Sequence, residues 1–220
     1  MRPPENVLRF VVKPIVFAAC LLPFVLLFRG ALIGDLGANP VERVTDVTGE
    51  WGLRFLLLTL AVTPLRQLTG WTWLQRFRRM LGLFVFFYVS LHFLTWVWLD
   101  QELSIARIVE DIAKRPYVTV GFTAWLLLVP LALTSTRGMM RRLGRRWQRL
   151  HRLVYPVAVL GVLHYLWLVK ADLLEPLVYA LVLAVLLVMR WPPLLSRFRS
   201  GRASASVTAR SRGGATAPSP

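Results

Sequence analysis

Residues 81–99 read LGLFVFFYVSLHFLTWVWL, and residues 151–167 read HRLVYPVAVLGVLHYLW. These two apolar stretches contain all three histidines of the chain, His92, His151 and His164. An ionisable side chain is costly inside a bilayer, so a histidine there indicates a functional site. A packed, hydrogen-bonded histidine is the alternative for any one of them. Because neutral imidazole is a common axial ligand of haem iron, three such histidines with none elsewhere favour a metal site.

The composition predicts an integral membrane protein. Of the 220 residues, 56% are hydrophobic and nine are Trp, and the mean hydropathy is +0.55. A soluble domain usually has a lower apolar content. A bilayer core about 30 Å thick is crossed by about 20 apolar residues, and six such runs predict an all-α bundle of six transmembrane helices. The runs are residues 11–28, 51–68, 81–99, 118–134, 153–169 and 177–191.

The net charge is +16. Its distribution along the chain predicts the orientation of the protein in the membrane and argues against nucleic-acid binding. Arg and Lys cluster in alternate connections, which by the positive-inside rule places both termini in the cytoplasm. These basic residues also favour contact with anionic lipid. The basic clusters are Arg2, Arg9 and Lys13; Arg66, Arg76, Arg78 and Arg79; Arg137, Arg141, Arg142, Arg145, Arg146, Arg149 and Arg152; and Arg190, Arg197 and Arg199. Of the carboxylates, only Glu5 lies on the basic side; the others are Asp35, Glu42, Asp46, Glu50, Asp100, Glu102, Glu110, Asp111, Asp172 and Glu175.

The chain divides into one long domain and a tail. Residues 1–195 are predicted to form the six-helix domain, whose first run is long enough to span and lacks the cleavage site of a signal peptide. Residues 196–220 are rich in Ser, Ala, Arg, Gly and Pro, which predicts a disordered cytoplasmic tail. The single Cys20 excludes an intramolecular disulfide. Without a phosphate loop or a GxGxxG motif, any chemistry must occur in the helices or come from partners.

Helix geometry predicts which histidines share a level of the bilayer. At 1.5 Å per residue, His92 lies about 18 to 20 Å into its span, and His164 lies about 20 Å beyond His151. His92 and His164 therefore share a level in the outer half, where facing side chains of a bundle can hold a haem. On a straight helix His151 and His164 differ by about 220° of rotation, unless Pro156 bends the helix between them.

Three segments carry a resemblance to a known family. They are TGEWGLRFLLLTLAVTPLRQLTG, FRRMLGLFVFFYVSLHFLTWVWLD and LALTSTRGMMRRLGRRWQRLHRLVYPVAVLGVLHYLWLVK. They resemble the MsrQ family, the haem-binding membrane subunit of the bacterial periplasmic methionine-sulfoxide reductase system, over residues 5–195. More distantly, the chain is similar to the transmembrane domain of ferric reductases and NADPH oxidases, whose third and fifth helices each supply two haem-ligating histidines.

The resemblance implies a b-type cytochrome in the bacterial inner membrane. Haem b would be held by His92 and His164, and FMN would be a further cofactor. Of the two histidine pairs in ferric reductases and NADPH oxidases, this chain has only part. Its fifth helix has His151 and His164, but its third helix has only His92, and Arg78, Arg79 and Met80 stand where the second histidine is expected. His151, the candidate for a second metal site, therefore has no histidine opposite, and Met80 is the alternative ligand at that level. The sequence leaves open one haem or two.

Two interpretations of the arginine-rich connection RGMMRRLGRRWQRL remain. The favoured one is a topology signal on an amphipathic surface helix. In the other, fixed cations hold a flavin phosphate or the acidic face of a cytosolic reductase. The candidate cations are Arg78, Arg79, Arg141, Arg142, Arg145 and Arg146.

The expected function is electron transfer, by a subunit without a sulfoxide-reducing site of its own. The resemblance implies a heterodimer with a periplasmic molybdenum-containing methionine-sulfoxide reductase, which repairs oxidised proteins. The quinone pool or a cytosolic flavin reductase is the expected donor. The acidic outer connections, with Asp100, Glu102, Glu110 and Asp111, are the predicted docking surface. The alternatives are a ferric or cupric reductase and a proton-coupled transporter whose buried histidines relay protons.

Overall fold

Every regular element in the part of the chain that the structure describes is helical. The structure, a computed structural model, describes residues 4–190. Its helices of six or more residues are α1 Lys13–Ile33, α2 Pro40–Thr69, α3 Gln75–Thr95, α4 Ile105–Lys114, α5 Pro116–Leu133, α6 Arg137–Leu143, α7 Arg145–Leu150, α8 Val154–Leu168 and α9 Leu174–Val188. A short turn at Glu5–Val7 and π-helical turns at Leu8–Val12 and Trp96–Asp100 extend α1 and α3. Two 3₁₀ turns, Thr72–Leu74 and His151–Leu153, precede α3 and α8.

Helix α2 begins well before the apolar run that predicted it. The Asn39 side chain accepts a hydrogen bond from the backbone N–H of Glu42 at 3.4 Å, and Pro40 is the first helical residue. Both residue types are favoured at these positions of a helix start. Gly70, with φ of +77°, ends the helix. The predicted run at residues 51–68 is therefore only the apolar part of a longer helix, because capping sets the start of a helix while hydropathy marks only its apolar part.

Three helical stretches are long and apolar enough to cross a bilayer by themselves. They are Glu5–Ile33, Thr72–Asp100 and Pro116–Leu133, and α9 is a shorter apolar helix. The apolar runs at 51–68 and 153–169 lie in α2 and α8, which are not among the three. The tail predicted for residues 196–220 and the end of the sixth run lie outside the described residues.

The core forms where α3 and α8 pack on α2. Tyr88, Leu60 and Ala158 have no exposed surface, and Val85 and Val157 are each 1% exposed. The most extensive helix pairings are α2 with α3 and α5 with α8. These two pairs fix the positions of the histidine-bearing helices, α3 and α8.

The Tyr88 hydroxyl supplies hydrogen bonds to α1 beside a proline. It accepts from the backbone N–H of Phe24 at 3.1 Å and donates to the carbonyl of Cys20 at 2.9 Å. Pro23 lies between these residues within the helix. In a bilayer the backbone groups at such a site must be satisfied by neighbouring helices. Tyr88 of α3 therefore ties α1 to the core at Pro23.

Candidate functional site

The imidazole rings of His92 and His164 meet between α3 and α8. Their centroids are 6.0 Å apart, and the ring planes cross at 81°. His92 Nδ1 lies 2.9 Å from the carbonyl oxygen of Thr45, and His164 Nδ1 lies 2.7 Å from that of Tyr117. A carbonyl oxygen can only accept, so each Nδ1 carries the proton and each Nε2 keeps its lone pair. Metal-binding histidines are commonly oriented in this way.

The same arrangement is built twice along the chain. Each histidine lies 47 residues after the carbonyl that receives its Nδ1–H. A glycine lies one helical turn after each carbonyl, and its missing side chain makes room for the ring. A Cβ atom at Gly49 would lie 3.0 Å from His92 Nδ1, and one at Gly121 would lie 2.7 Å from His164 Nδ1. The sequence analysis missed both glycines, although the repeated spacing of glycine and histidine was a signal for them.

Two aromatic side chains and a serine fix α3 against α5. Phe93 and Trp125 stack with centroids 4.2 Å apart and planes 18° apart. The indole Nε1 of Trp125 donates to the Ser90 hydroxyl at 3.2 Å. Because α5 also supplies the carbonyl that orients His164, these contacts couple the positions of the two imidazole rings.

The histidine pair fits a haem iron better than an isolated metal ion. Metal–nitrogen bonds to histidine are about 2 Å long, so two imidazole rings whose centroids are 6.0 Å apart are near enough to bind one metal. Within residues 4–190 no group of three or more His, Cys, Asp or Glu side chains could hold a metal ion. Two axial histidines suffice for haem iron, because the porphyrin nitrogens supply its other ligands.

His151 lies apart from this pair, at the arginine-rich end of the bundle. Its Nδ1 is 3.1 Å from the carbonyl oxygen of Trp147, and the two rings stack with centroids 3.9 Å apart. Among the described residues its buried Nε2 makes no hydrogen bond of ordinary geometry, although the backbone of Leu131 also interacts with the imidazole. The 3₁₀ turn at His151–Leu153 ends just before α8 begins. Pro156 therefore lies in the first turn of α8, and it does not turn His151 toward the ring of His164.

The predicted cations differ in burial. Arg78 is half-buried and close enough to Arg190 and His151 for their charges to interact, whereas Arg79 is exposed. Arg190 donates to the Tyr155 hydroxyl at 3.0 Å and to the carbonyl of Leu60. Sequence reasoning did not single out Arg190 as a site residue. Met80, the alternative ligand, packs against the hydrophobic core. The candidates on α6 and α7 are all exposed, namely Arg141, Arg142, Arg145 and Arg146.

Most carboxylates of the predicted docking surface are paired with nearby cations. Glu102 contacts Arg107 at 2.7 Å, Glu110 pairs with Lys114, and Asp111 lies 3.0 Å from Arg115. The hydrogen bond from Arg107 lowers the pKa of Glu102, and that from Lys114 lowers the pKa of Glu110. Because of these ion pairs, the net negative charge of this surface is smaller than the number of carboxylates indicates.

The chain is similar in sequence to known proteins over most of its length. Residues 48–162 match the family model described as ferric reductase like transmembrane component. A Rhodospirillum rubrum protein named protein-methionine-sulfoxide reductase heme-binding subunit MsrQ is 61% identical over 86% of this chain and 91% of its own length. Proteins of the same name are 52% identical in Herminiimonas arsenicoxydans (86% of each chain) and 58% identical in Xanthomonas campestris pv. campestris (80% and 82%). No solved structure matches the chain.

Proposed function

The chain belongs to the MsrQ family of heme-binding subunits, within the ferric reductase-like transmembrane proteins, and on this premise we propose that it is a b-type cytochrome that transfers electrons across the bacterial inner membrane. The observation that carries the proposal is the facing pair of His92 and His164, with each Nδ1–H bound to a backbone carbonyl. Haem, when bound, supplies reversible one-electron chemistry.

In this proposal each residue around the haem has a defined task. The Nε2 atoms of His92 and His164 would hold the iron of a bound haem. The carbonyls of Thr45 and Tyr117 fix the tautomer and orientation of the rings, because outer hydrogen bonds of this kind tune metal ligands. The surrounding apolar side chains exclude water from the site.

The membrane arrangement of the proposal is a six-helix bundle with cytoplasmic termini. The three long apolar stretches support it, together with the separation of basic and acidic connections. The histidine pair then lies in the outer half of the inner membrane. We infer delivery of electrons to a periplasmic molybdenum-containing methionine-sulfoxide reductase, and uptake from the quinone pool or a cytosolic flavin reductase.

We also propose FMN at the arginine-rich end, near the sequence-derived candidates Arg78 and Arg79. A guanidinium group binds phosphate through two parallel hydrogen bonds. His151 is near enough to Arg78 for their charges to interact, so it is the candidate contact of a second cofactor there.

The direct test is a reduced-minus-oxidised spectrum of the purified protein, with haem and flavin counted per polypeptide. We expect His92→Ala and His164→Ala each to abolish the low-spin haem bands while the protein remains in the membrane. His151→Ala should have a weaker or separable effect on those bands, because its level lacks a histidine partner. Low-spin bands that persist in His92→Ala or His164→Ala would refute the axial assignment. A proton-coupled transporter, the alternative of another class, would give no haem bands in the unmodified protein.

A further inference from the structure

The short helix α4 exposes large apolar side chains along one face. Ile105 is 78% exposed, and Val109, one turn later, is 59% exposed. Arg107 and Lys114 lie on the opposite face, roughly 160–180° around the helix axis. In an amphipathic helix the apolar face normally rests against an apolar surface, because exposure of such side chains to water is unfavourable. The exposed face of α4 therefore indicates a contact with something outside the chain.

A different side of α4 is fixed to the ends of α3 and α5. The carboxylate of Asp111 is only 13% exposed and accepts hydrogen bonds from Trp96 Nε1 and Gln101 Nε2, each at 3.3 Å. The Thr119 hydroxyl of α5 donates to the carbonyl of Ile112. Helix α4 is therefore docked on the bundle through one side, and its exposed apolar face lies outside that contact.

The contact with Trp96 sets the level of α4 relative to the membrane. Trp96 begins the last turn of Thr72–Asp100, a stretch long and apolar enough to span the bilayer. After α4 the chain enters Pro116–Leu133, a second such stretch. Both ends of α4 thus adjoin the ends of spans, at the level where tryptophan is enriched in membrane proteins. A helix beside the spans at this level meets lipid on its free apolar side.

The apolar face of α4 continues the exposed apolar surface at the end of α3. Trp98 is 67% exposed and Leu99 is 48% exposed in the last turn of α3, and Leu103, just before α4, is 63% exposed. The backbone N–H of Leu103 donates to the carbonyl of Val97 at 3.0 Å, which holds Leu103 against that turn. The surface that α3 presents to lipid therefore extends to α4.

Ion pairs within the chain neutralise the cations of α4 and of the residue that follows it. The pairs are Arg107 with Glu102 at 2.7 Å, Lys114 with Glu110, and Arg115 with Asp111 at 3.0 Å. Interfacial helices bind membranes through buried apolar area and through attraction of free cations to anionic lipid. Because the cations of α4 are paired, the apolar face is the main source of attraction, and acyl chains are its match.

We propose that α4 lies flat in the outer interface of the membrane, with Ile105 and Val109 among the acyl chains of phospholipid. Leu103 enters the same layer, and the face with Arg107 and Lys114 remains in water. The inference rests on the membrane arrangement of the proposed function, in which α3 and α5 span the bilayer. A periplasmic partner then reaches only the charged face of α4.

Spin-label electron paramagnetic resonance of the full chain in nanodiscs tests the depth of α4. Labels are attached in a Cys20→Ala background to Ile105→Cys and Val109→Cys, with Arg107→Cys and Lys114→Cys as matched positions on the opposite face. Collisions with oxygen, which concentrates in lipid, and with a nickel chelate, which stays in water, measure depth. We expect the first two labels about 5–10 Å deep in the interface and the other two in water. Phosphatidylcholine nanodiscs with and without phosphatidylglycerol should give equal depths, because the cations are already paired.

Two results would overturn the inference. One is nickel collision at Ile105 and Val109 as frequent as on the charged face, which would place the apolar face in water. The other is shielding of both labels from both reagents, which would mean that a second copy of the chain or another protein covers the face.

A label at Leu126→Cys, on an exposed position of α5, tests the membrane arrangement separately. Lipid contact at Leu126 together with water contact at Ile105 and Val109 would refute only the placement of α4. Nickel collision at Leu126 would refute α5 as a span, and with it the membrane arrangement of the proposed function.

Discussion

Gly121 lies so close to the ring of His164 that a Cβ atom at position 121 would be 2.7 Å from Nδ1. Real Cβ atoms essentially never approach another heavy atom this closely. A side chain at this position would therefore displace the imidazole, or separate α5 from α8, and break the hydrogen bond to Tyr117. The glycine acts on the proposed haem through the orientation of His164.

Gly121→Ala should lower haem affinity by about tenfold or more, the usual effect of losing an outer hydrogen bond to a metal ligand. Gly49→Ala should do less, because its Cβ would lie 3.0 Å from His92 Nδ1. Haem titration and the low-spin electron paramagnetic resonance signal measure the change. The control is Gly161→Ala on α8, whose Cβ would have its nearest contact at 3.6 Å. Identical signals from Gly121→Ala and Gly161→Ala would exclude this positioning role.

Tyr88→Phe should destabilise the protein by about 1–3 kcal/mol, because it removes the hydroxyl shared by Phe24 and Cys20 in a fully buried position. Equilibrium unfolding in detergent with a graded denaturant measures the loss. Tyr117→Phe is the control, since its hydroxyl takes only an exposed hydrogen bond from Arg115 at 3.4 Å. Equal stabilities of the two variants would show that water or another group replaces the Tyr88 hydroxyl.

Reporter fusions should place the two ends of the bundle on opposite sides of the membrane. We expect a cytoplasmic signal for a fusion after Arg142 and a periplasmic signal for fusions near Asp46 and Glu110, because the basic residues are retained inside. Paired alkaline phosphatase and fluorescent protein fusions give both readouts. A cytoplasmic signal at Glu110 would reverse the proposed direction of electron flow.

Glu110→Gln should slow reoxidation of the reduced protein by its periplasmic partner at low salt and have little effect at high salt. The substitution leaves Lys114 unpaired on the proposed docking surface, and such charges act mainly on the rate of encounter. Stopped-flow measurements over a salt series test this, with Glu42→Gln, an exposed acid on α2, as the control. A wild-type rate at every salt concentration would place docking elsewhere.

The same surface has a predictable pH dependence. Since Lys114 lowers the pKa of Glu110 and Arg107 lowers that of Glu102, both carboxylates are more acidic in the folded state. Their pairing contributes stability above the unfolded pKa, and this is lost only as pH falls through the lower folded pKa. Titration of both carboxyl groups by infrared spectroscopy should give midpoints below the ordinary glutamate value. Ordinary midpoints would mean that the two pairs do not persist in solution.

Hydropathy and helix geometry were sufficient to predict a helical membrane protein and a common level for His92 and His164. Each of these two predictions depends on one segment at a time. The apolar content of a segment identifies a membrane helix, and the fixed rise per residue gives the depth of a histidine within it. The apolar run at residues 51–68 marks only part of α2, because the Asn39 cap that starts this helix lies outside the run.

The tertiary structure decided which groups face each other. The rotation of a helix about its own axis depends on its packing partners, so the segments alone did not predict the carbonyl partners of His92 and His164. The same reason applies to Arg190, whose hydrogen bond to the carbonyl of Leu60 joins residues more than a hundred positions apart. It applies also to Gly49 and Gly121, whose lack of a side chain matters only where an imidazole ring from another helix packs against them.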